Sequence, residues 1–525
     1  MSERGSGIAQ AEVVAALSLA TDLAMGQPLE SGLGICVLGV RLAERAGVSD
    51  EDRGRVHDVA LLRHAGCTAE NQGFSSIVGD ELAFREGAMA VEATNPRVLF
   101  PYMLRYLVRT NGLIGAAGKL TQMASERDRF QEAVLAVCEV AEMLAERMGL
   151  PEPVQQDLLM ANERWDGKSF LKRAKKDEVP VSVRVVQIAE CASVYRALGG
   201  TEAATAVVRE RAGGAFDPEL AATFAEHAEE LCGDQPESAW EAVIDSAPDG
   251  RRPLGDAQAD AALAAMAEFV DLKSPYTAGH SNAVARLAAT AGEHAALSAG
   301  EVTTLRRAAL LHNLGQVGVP SQIMEKPGTL NADEWERVRL HTYLCERILA
   351  RSQGLSRLGS VAALHHERSD GSGYHRGVEA RNLPAPARLL AAADAFRSMT
   401  EPRPHRDAMT EDAAAGELRR EARDGRLDSD AVACVLSAAG RAQGRRRDRV
   451  AGLSAREAEV LRLVARGLST KQIAAQLVIS PKTADSHIQH IYTKIGVSTR
   501  AAATVFAMRH DLVDPIVKSS GELPM

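Results

Sequence analysis

The chain has 525 residues, which at roughly 150 residues per domain makes about three to four domains and excludes a single core. Hydrophobic residues at 46% and charged residues at 25% exclude wholesale disorder and a low-complexity or collagen-like chain, while 4% aromatics beside abundant Ala and Leu favour helix over sheet. The net charge of −9 is uneven: 441–510 carries thirteen Lys/Arg against four Asp/Glu, a net +9 that leaves −18 on the remainder, so the basic end suits a polyanionic partner.

The opening "MSERGSGIAQ" leads into no signal-peptide core, and no uncharged apolar run approaches the roughly 18 residues of a membrane span. A cytoplasmic location without a membrane partner is expected. The seven cysteines are scattered, odd in number and never in a C-x-x-C pair, which predicts reduced, mostly buried thiols.

In chain order, the first segment, 1–205, contains "QPLESGL", "VALLRHAGC", "ANERWDGKS" and "PVSVRVVQIAE". Gly and Pro break 206–254 into a linker with a short helix. The next segment, 255–440, repeats the same punctuation as "SPYTAGH", "AALLHNLGQ", "HHERSDGSG" and "APARLLAAAD". Four blocks in one order imply a duplicated domain. Apolar spacing at i, i+3, i+4 and i+7, as in "NAVARLAATAGEHAAL", predicts amphipathic helices in both copies. An all-α chain with two tandem helical bundles follows.

Histidine distinguishes the copies. The second holds His280, His312, His341, His365, His366 and Asp394, where the matching places of the first hold Leu33, Arg63, Ala136, Ala161, Asn162 and Glu190. Imidazole and carboxylate are ligands for Fe, Mn or Zn, and a bundle can aim several at one point. A lone His is more often a hydrogen-bonded core or surface residue, but a repeat stripped at several of these places makes them a set. Adjacent helical residues point about 100° apart, so His365 and His366 are a poor fit to packing alone.

The blocks "SPYTAGHSNAVARLA", "LLHNLGQVGVP", "VRLHTYLCERIL", "HHERSDGSGYHRG" and "ADAFRSMTEPRPHR" resemble the HD-GYP family of metal-dependent phosphohydrolases over about 265–435, with a degenerate HD-like echo across 10–205. The resemblance implies that the six residues ligate a divalent metal, Fe or Mn, and that the domain recognises a cyclic nucleotide such as cyclic di-GMP. Three positions depart from the pattern: Asn313 replaces the aspartate of the H-D pair, Gln316 a lysine and His375 the proline of GYP. Two divalent ions about 4 Å apart repel by about 17 kcal/mol at an effective dielectric near 20, so losing a bridging carboxylate makes a two-metal site harder to assemble. Gly371 and Gly373 nonetheless mark a shaped loop that packing alone would not require.

A basic linker, 441–450, with Arg445, Arg446 and Arg447, leads to 451–515, which divides into four short helices. Ser454 is placed to cap the first and Gly467 to end it; Thr470 opens a second through Leu477, and Ser480-Pro481 starts a third. A tail, 516–525, follows. The strings "LSAREAEVL", "GLSTKQIAAQL", "ISPKTADSHI" and "KIGVSTRAAA" resemble the LuxR-type helix-turn-helix over roughly 450–513. That resemblance makes 481–495 the recognition helix, with Lys482, Thr483, Asp485, Ser486 and Gln489 facing double-stranded DNA and Lys471 and Lys494 on backbone phosphates. Asp485 stands where the common pattern has lysine; it can accept from a cytosine amino group or stabilise the first turn of its helix.

Together these features predict a transcriptional regulator whose HD-GYP-like body senses and whose tail binds DNA, with homodimerisation expected on paired half-sites. Asn313 and Gln316 favour regulation over turnover and leave the catalytic residues unassigned. The alternatives are an active metal-dependent cyclic di-GMP phosphodiesterase with a DNA-binding tail, or an inert HD-like dimerisation scaffold.

Overall fold

The computed structural model describes residues 7–69, 71–92, 95–125, 127–233, 236–248, 250–441 and 450–513. Among these the regular structure is helical, the only β contacts being isolated bridges such as Ala9 with Pro253. The chain forms two compact units: one takes it through Phe269 together with Pro320–Gln322 and Ile348–Leu355, the other takes the rest. Arg445, Arg446, Arg447 and the 516–525 tail lie outside the described residues. Among the described residues no disulfide joins the seven cysteines, and six are buried. No helix among the described residues is long and apolar enough to cross a membrane.

The duplication is visible in the caps. Glu30 (φ 76, ψ 5) and Gly279 (φ 76, ψ 4) occupy the same left-handed position ahead of the Ser31–Arg45 and His280–His294 helices, each of 15 residues. Asp22 and Asp271 then accept from the backbone N–H groups of Gly32 and Ser281 at 2.9 and 2.8 Å. Ser49 and Ser298 cap the Asp50–Leu62 and Ala299–Leu311 helices, which end on Arg63 and His312. Pro180 and Pro384 precede the Val181–Arg211 and Ala385–Thr400 helices and bring Glu190 and Asp394 to the same turn.

This geometry corrects two pairings. The counterpart of His280 is Ser31, not Leu33, because each is the first residue after the left-handed cap. The counterpart of His341 is Val137, not Ala136: a Cβ on Gly66 would lie 1.9 Å from the Val137 carbonyl oxygen, and one on Gly315 would lie 2.0 Å from that of His341. Only glycine admits so close a crossing. Ala-rich helices slide easily in a sequence comparison, and the caps and crossings set the register.

The 206–254 stretch differs from the expected linker. It carries the Pro218–Gly233 and Ala239–Ser246 helices, whose Phe224, Trp240, Val243 and Ile244 are buried. His57 reaches the Val243 carbonyl at 3.0 Å, so the stretch completes the first bundle.

Residues 450–513 form four helices, Ala455–Ala465, Thr470–Leu477, Pro481–Ile495 and Arg500–Arg509. Their core of Val460, Leu461, Ile473, Ala484, Ile488 and Ile491 is supplied from within the segment. Ser454, Ser469 and Ser480 each accept a backbone N–H from the third residue of the helix they cap.

Candidate functional site

The second bundle brings the six singled-out residues into two adjoining triads. His280, His312 and Asp394 form one, His341, His365 and His366 the other, and within each the candidate ligand atoms lie within 4.8 Å of one another. The His312 and His365 rings join them, with centroids 4.8 Å apart. His280 opens its helix, His312 closes the Ala299–Leu311 helix, and His341 and Asp394 project from the Ala332–Leu349 and Ala385–Thr400 helices. His365 and His366 lie on a turn after the Gln353–Ala362 helix and not, as expected, within a helix, so they do not diverge by the helical 100°; the turn sets their rings 4.1 Å apart.

Three imidazoles are oriented in the same way. Nδ1 of His312, His341 and His365 donates to the backbone carbonyl three residues earlier, Ala309, Val338 and Ala362, at 2.7, 2.5 and 2.7 Å. A carbonyl only accepts, so Nδ1 carries the proton and Nε2 keeps its lone pair. Nε2 of His312 is buried without a hydrogen-bond partner. Nε2 of His341 and His365 face each other at 3.1 Å, two acceptors with no proton between them. Burial holds His341 down to about 4 and His365 and His366 well below the usual imidazole range, so all three are neutral near pH 7, the form that ligates. These inward lone pairs fit a divalent cation.

The carboxylate side has the complementary charge. Burial opposes ionisation of Asp394, but His280 and His312 beside it hold it well below the carboxylate range. His280 Nε2 lies 3.1 Å from Asp394 Oδ1, and its Nδ1 lies 2.7 Å from Glu401 Oε2. Burial opposes a proton on His280, yet Glu401 and Asp394 push it up to about 9. An environment that stabilises a proton there is also suited to a metal ion. Glu401, itself held by Arg397 at 3.1 Å and Arg403 at 3.4 Å, was not anticipated. Its seven-residue spacing from Asp394, two helical turns, is the signal that would have found it.

The departures from the HD-GYP pattern have local structures of their own. Gln316 Nε2 donates to Asn313 Oδ1 at 2.6 Å, so the two exchanged residues contact each other. His375 Nδ1 meets the Thr342 hydroxyl at 3.0 Å, and its Nε2 lies 3.4 Å from Glu346. The loop after His366 is closed by the buried Glu367 carboxylate, which accepts the Arg376 and Val378 N–H groups at 2.8 Å each. Gly371 (φ 78) turns that loop, and a Cβ on Gly373 would come within 2.4 Å of the Arg368 nitrogen. Tyr374 stacks on His366 at 4.8 Å with Arg339 over its ring at 5.4 Å.

In the C-terminal segment, Lys482, Thr483, Asp485, Ser486 and Gln489 are exposed on one helix, and Lys471 is exposed on the helix before it. Thr483 shares its hydroxyl with Ser480 at 2.8 Å. Lys494 is exposed but paired with Glu457 at 2.7 Å, so a phosphate there would compete with a carboxylate.

Comparison with known proteins extends these observations. Residues 264–431 match the HD domain family, and 451–507 match the luxR family of bacterial regulatory proteins. The chain is 29% identical over 413 residues to 3′3′-cGAMP-specific phosphodiesterase 3 of Vibrio cholerae, spanning 77% of this chain and 89% of that protein. It is 37% identical over 169 residues to a cyclic di-GMP phosphodiesterase of Thermotoga maritima, spanning 32% of this chain and 45% of that protein. The crystal structure of a cyclic GMP-AMP-specific phosphodiesterase from V. cholerae superposes with a TM-score of 0.57 at 25% identity, covering 82% of this chain and 98% of that one. These likenesses, with both triads assembled, overturn the expectation that Asn313 and Gln316 favour regulation without turnover; they favour catalysis. That expectation counted the two substitutions as separate losses, whereas they are in contact and remove one negative and one positive charge together. The chain thus joins an HD-domain region matching HD-GYP-family phosphodiesterases to a C-terminal helix-turn-helix domain of LuxR type.

Proposed function

We propose that the protein is a metal-dependent phosphodiesterase of cyclic dinucleotides whose C-terminal domain binds double-stranded DNA. The observation that carries this reading is the pair of adjoining triads, buried but for the half-buried His366, in which His312, His341 and His365 each tie Nδ1 to a backbone carbonyl and so leave Nε2 as a ligand atom. His280, His312 and Asp394 would hold one divalent ion, Fe or Mn, and His341, His365 and His366 a second. Such ions supply Lewis acidity at the phosphate and lower the pKa of water at the site.

The chain's own residues do the rest. Burial keeps the imidazoles neutral, Asp394 supplies charge, and Glu401 orients His280 through Nδ1. Arg339, stacked on Tyr374 beside the second triad, is placed to meet a phosphate oxygen. The reaction breaks one phosphodiester P–O bond with water, leaving a terminal phosphate and a free hydroxyl on a linear dinucleotide.

DNA binding rests on the LuxR-type match and on the exposed Lys471, Lys482, Thr483, Asp485, Ser486 and Gln489, with Lys494 as a phosphate contact in competition with Glu457. Localised on DNA, the enzyme would link second-messenger breakdown to transcription. Incubation of the Mn- or Fe-reconstituted protein with 3′3′-cGAMP and with cyclic di-GMP tests the catalytic reading. Linear product is expected from at least one, falling at least about a hundredfold in His312→Ala; no product from either, with two ions bound per chain, would refute it.

A further inference from the structure

The first bundle keeps the shape of a site while exchanging its chemistry. In the register set by the caps, Arg63 stands for His312, His64 for Asn313, Val137 for His341, Asn162 for His366 and Glu190 for Asp394. Five of these replacements line one cavity of about 300 Å³, at the small end of ligand pockets. The place where the second bundle gathers imidazoles is therefore open in the first, with a guanidinium in its lining.

Two features of the cavity specify an occupant. Arg63 has a side chain only 7% exposed, and Glu190, 3.1 Å away, is its one side-chain partner among the described residues. The remaining guanidinium N–H groups meet no protein acceptor among the described residues, unlike those of Arg85, which reach the Ala24 and Cys67 carbonyls, and of Arg164, which meets Asp166 and Glu92. Arginine's planar fork matches a carboxylate. Much of the remaining lining is apolar, Phe74, Phe84, Leu99, Met103, Phe170 and Phe216 among it, with Phe74 and Phe84 edge to face at 5.2 Å. Asn162 and Gln187 spend amide N–H groups, which could have donated to a nucleobase edge, on Cys138 Sγ and on the Glu163 carbonyl. Arg211, also in the lining, is engaged by Cys191 and the Tyr195 hydroxyl, and Glu190, which meets His64 at 2.5 Å as well as Arg63, offsets positive charge beside the guanidinium, so a single negative charge is admitted more readily than the two of a phosphate monoester.

We propose that the first bundle binds a small organic carboxylate with an aliphatic or aromatic body, its carboxylate on Arg63 at the position corresponding to the metal centre of the second bundle. The inference stands independently of whether the second bundle is active.

The test is calorimetric titration of the full-length protein with decanoate, decanol and GMP. Decanoate is expected to bind at least about tenfold more tightly than decanol or GMP. Arg63→Met should weaken decanoate at least about tenfold, whereas Glu190→Gln, which frees the guanidinium, should tighten it severalfold. Opposite signs from two neighbouring substitutions cannot come from general loss of folding, and the Glu190→Gln arm decides the matter should Arg63→Met fail to fold. Equal binding of decanoate and decanol, weaker binding in Glu190→Gln, or preference for GMP would overturn the proposal.

Discussion

Gln316 donates to Asn313 at 2.6 Å, so neither residue can be read alone. Where the HD-GYP pattern has an aspartate and a lysine, this chain has two amides that satisfy each other, and the local net charge is the same in both arrangements. Restoring one charge leaves it without its partner next to the first triad; restoring both recreates the pair. Gln316→Lys alone should therefore lower turnover, and adding Asn313→Asp should recover it by more than additivity allows, with a coupling energy above about 0.5 kcal/mol in a double-mutant cycle of kcat/KM. Additive effects would show that the two positions act separately. The same scale explains what was hidden in the first bundle. Arg63 stands where the second bundle has a histidine, and its guanidinium faces Glu190 as a metal ion would face Asp394; with His64 it holds Glu190 down to about 2 against the cost of burial.

Among the elements, the helix-turn-helix segment was the most legible, because its caps and apolar spacing are local. Ser454, Ser480 and Pro481 sit where the pattern placed them, although the cap of the second helix is Ser469, one residue before Thr470. Its turn holds a feature that local rules disfavour: Val478 is left-handed (φ 55) and 90% exposed. A β-branched residue is strained there, and an asparagine tolerates the conformation better. Val478→Asn should stabilise the 450–513 segment, which has its own core, by about 1 kcal/mol in urea denaturation. A loss of stability would show that Val478 is held by packing. The Glu457–Lys494 pair joins the first and third helices of this segment. The Lys494 ammonium and the Ser454 backbone N–H lower Glu457 from 4.5 to about 2. A carboxylate with a depressed pKa stabilises the fold fully above the unfolded value and loses that contribution as pH falls through the folded one. Thermal stability of the segment should thus drop between about pH 4.5 and pH 2, with a shallower drop in Lys494→Met; an identical pH profile in that variant would remove the pair from the account.

For the whole molecule, charge and connectivity decide more than any one contact. The +9 of 441–510 against −18 elsewhere predicts duplex binding dominated by phosphate contacts. Affinity of the full chain should fall linearly with salt on logarithmic axes, and Lys482→Ala should reduce that slope by about 1. A slope unchanged by the substitution would take Lys482 off the phosphates. The unit that carries both triads also carries the helix-turn-helix. There Arg286 pairs with Asp511, and Val513 lies against Gly279, the residue before His280. This contact places the helix-turn-helix segment against the turn that presents a candidate ligand.

Features that depend on short-range rules are legible in the amino-acid string: helical periodicity, serine caps, glycine turns, the order of repeated blocks and the histidines that stand out from them. Capping and periodicity act over one or two turns, so they survive in a string of letters. Tertiary structure decided what depends on crossings between distant segments: the repeat register set by Gly66 and Gly315, the Glu401 carboxylate behind His280, the two triads meeting at His312 and His365, and the guanidinium of Arg63 beside Glu190. Those contacts join residues that can be more than a hundred positions apart, as His280 and Asp394 are, and whether their side chains oppose, pair or face a cavity is set only when the helices pack.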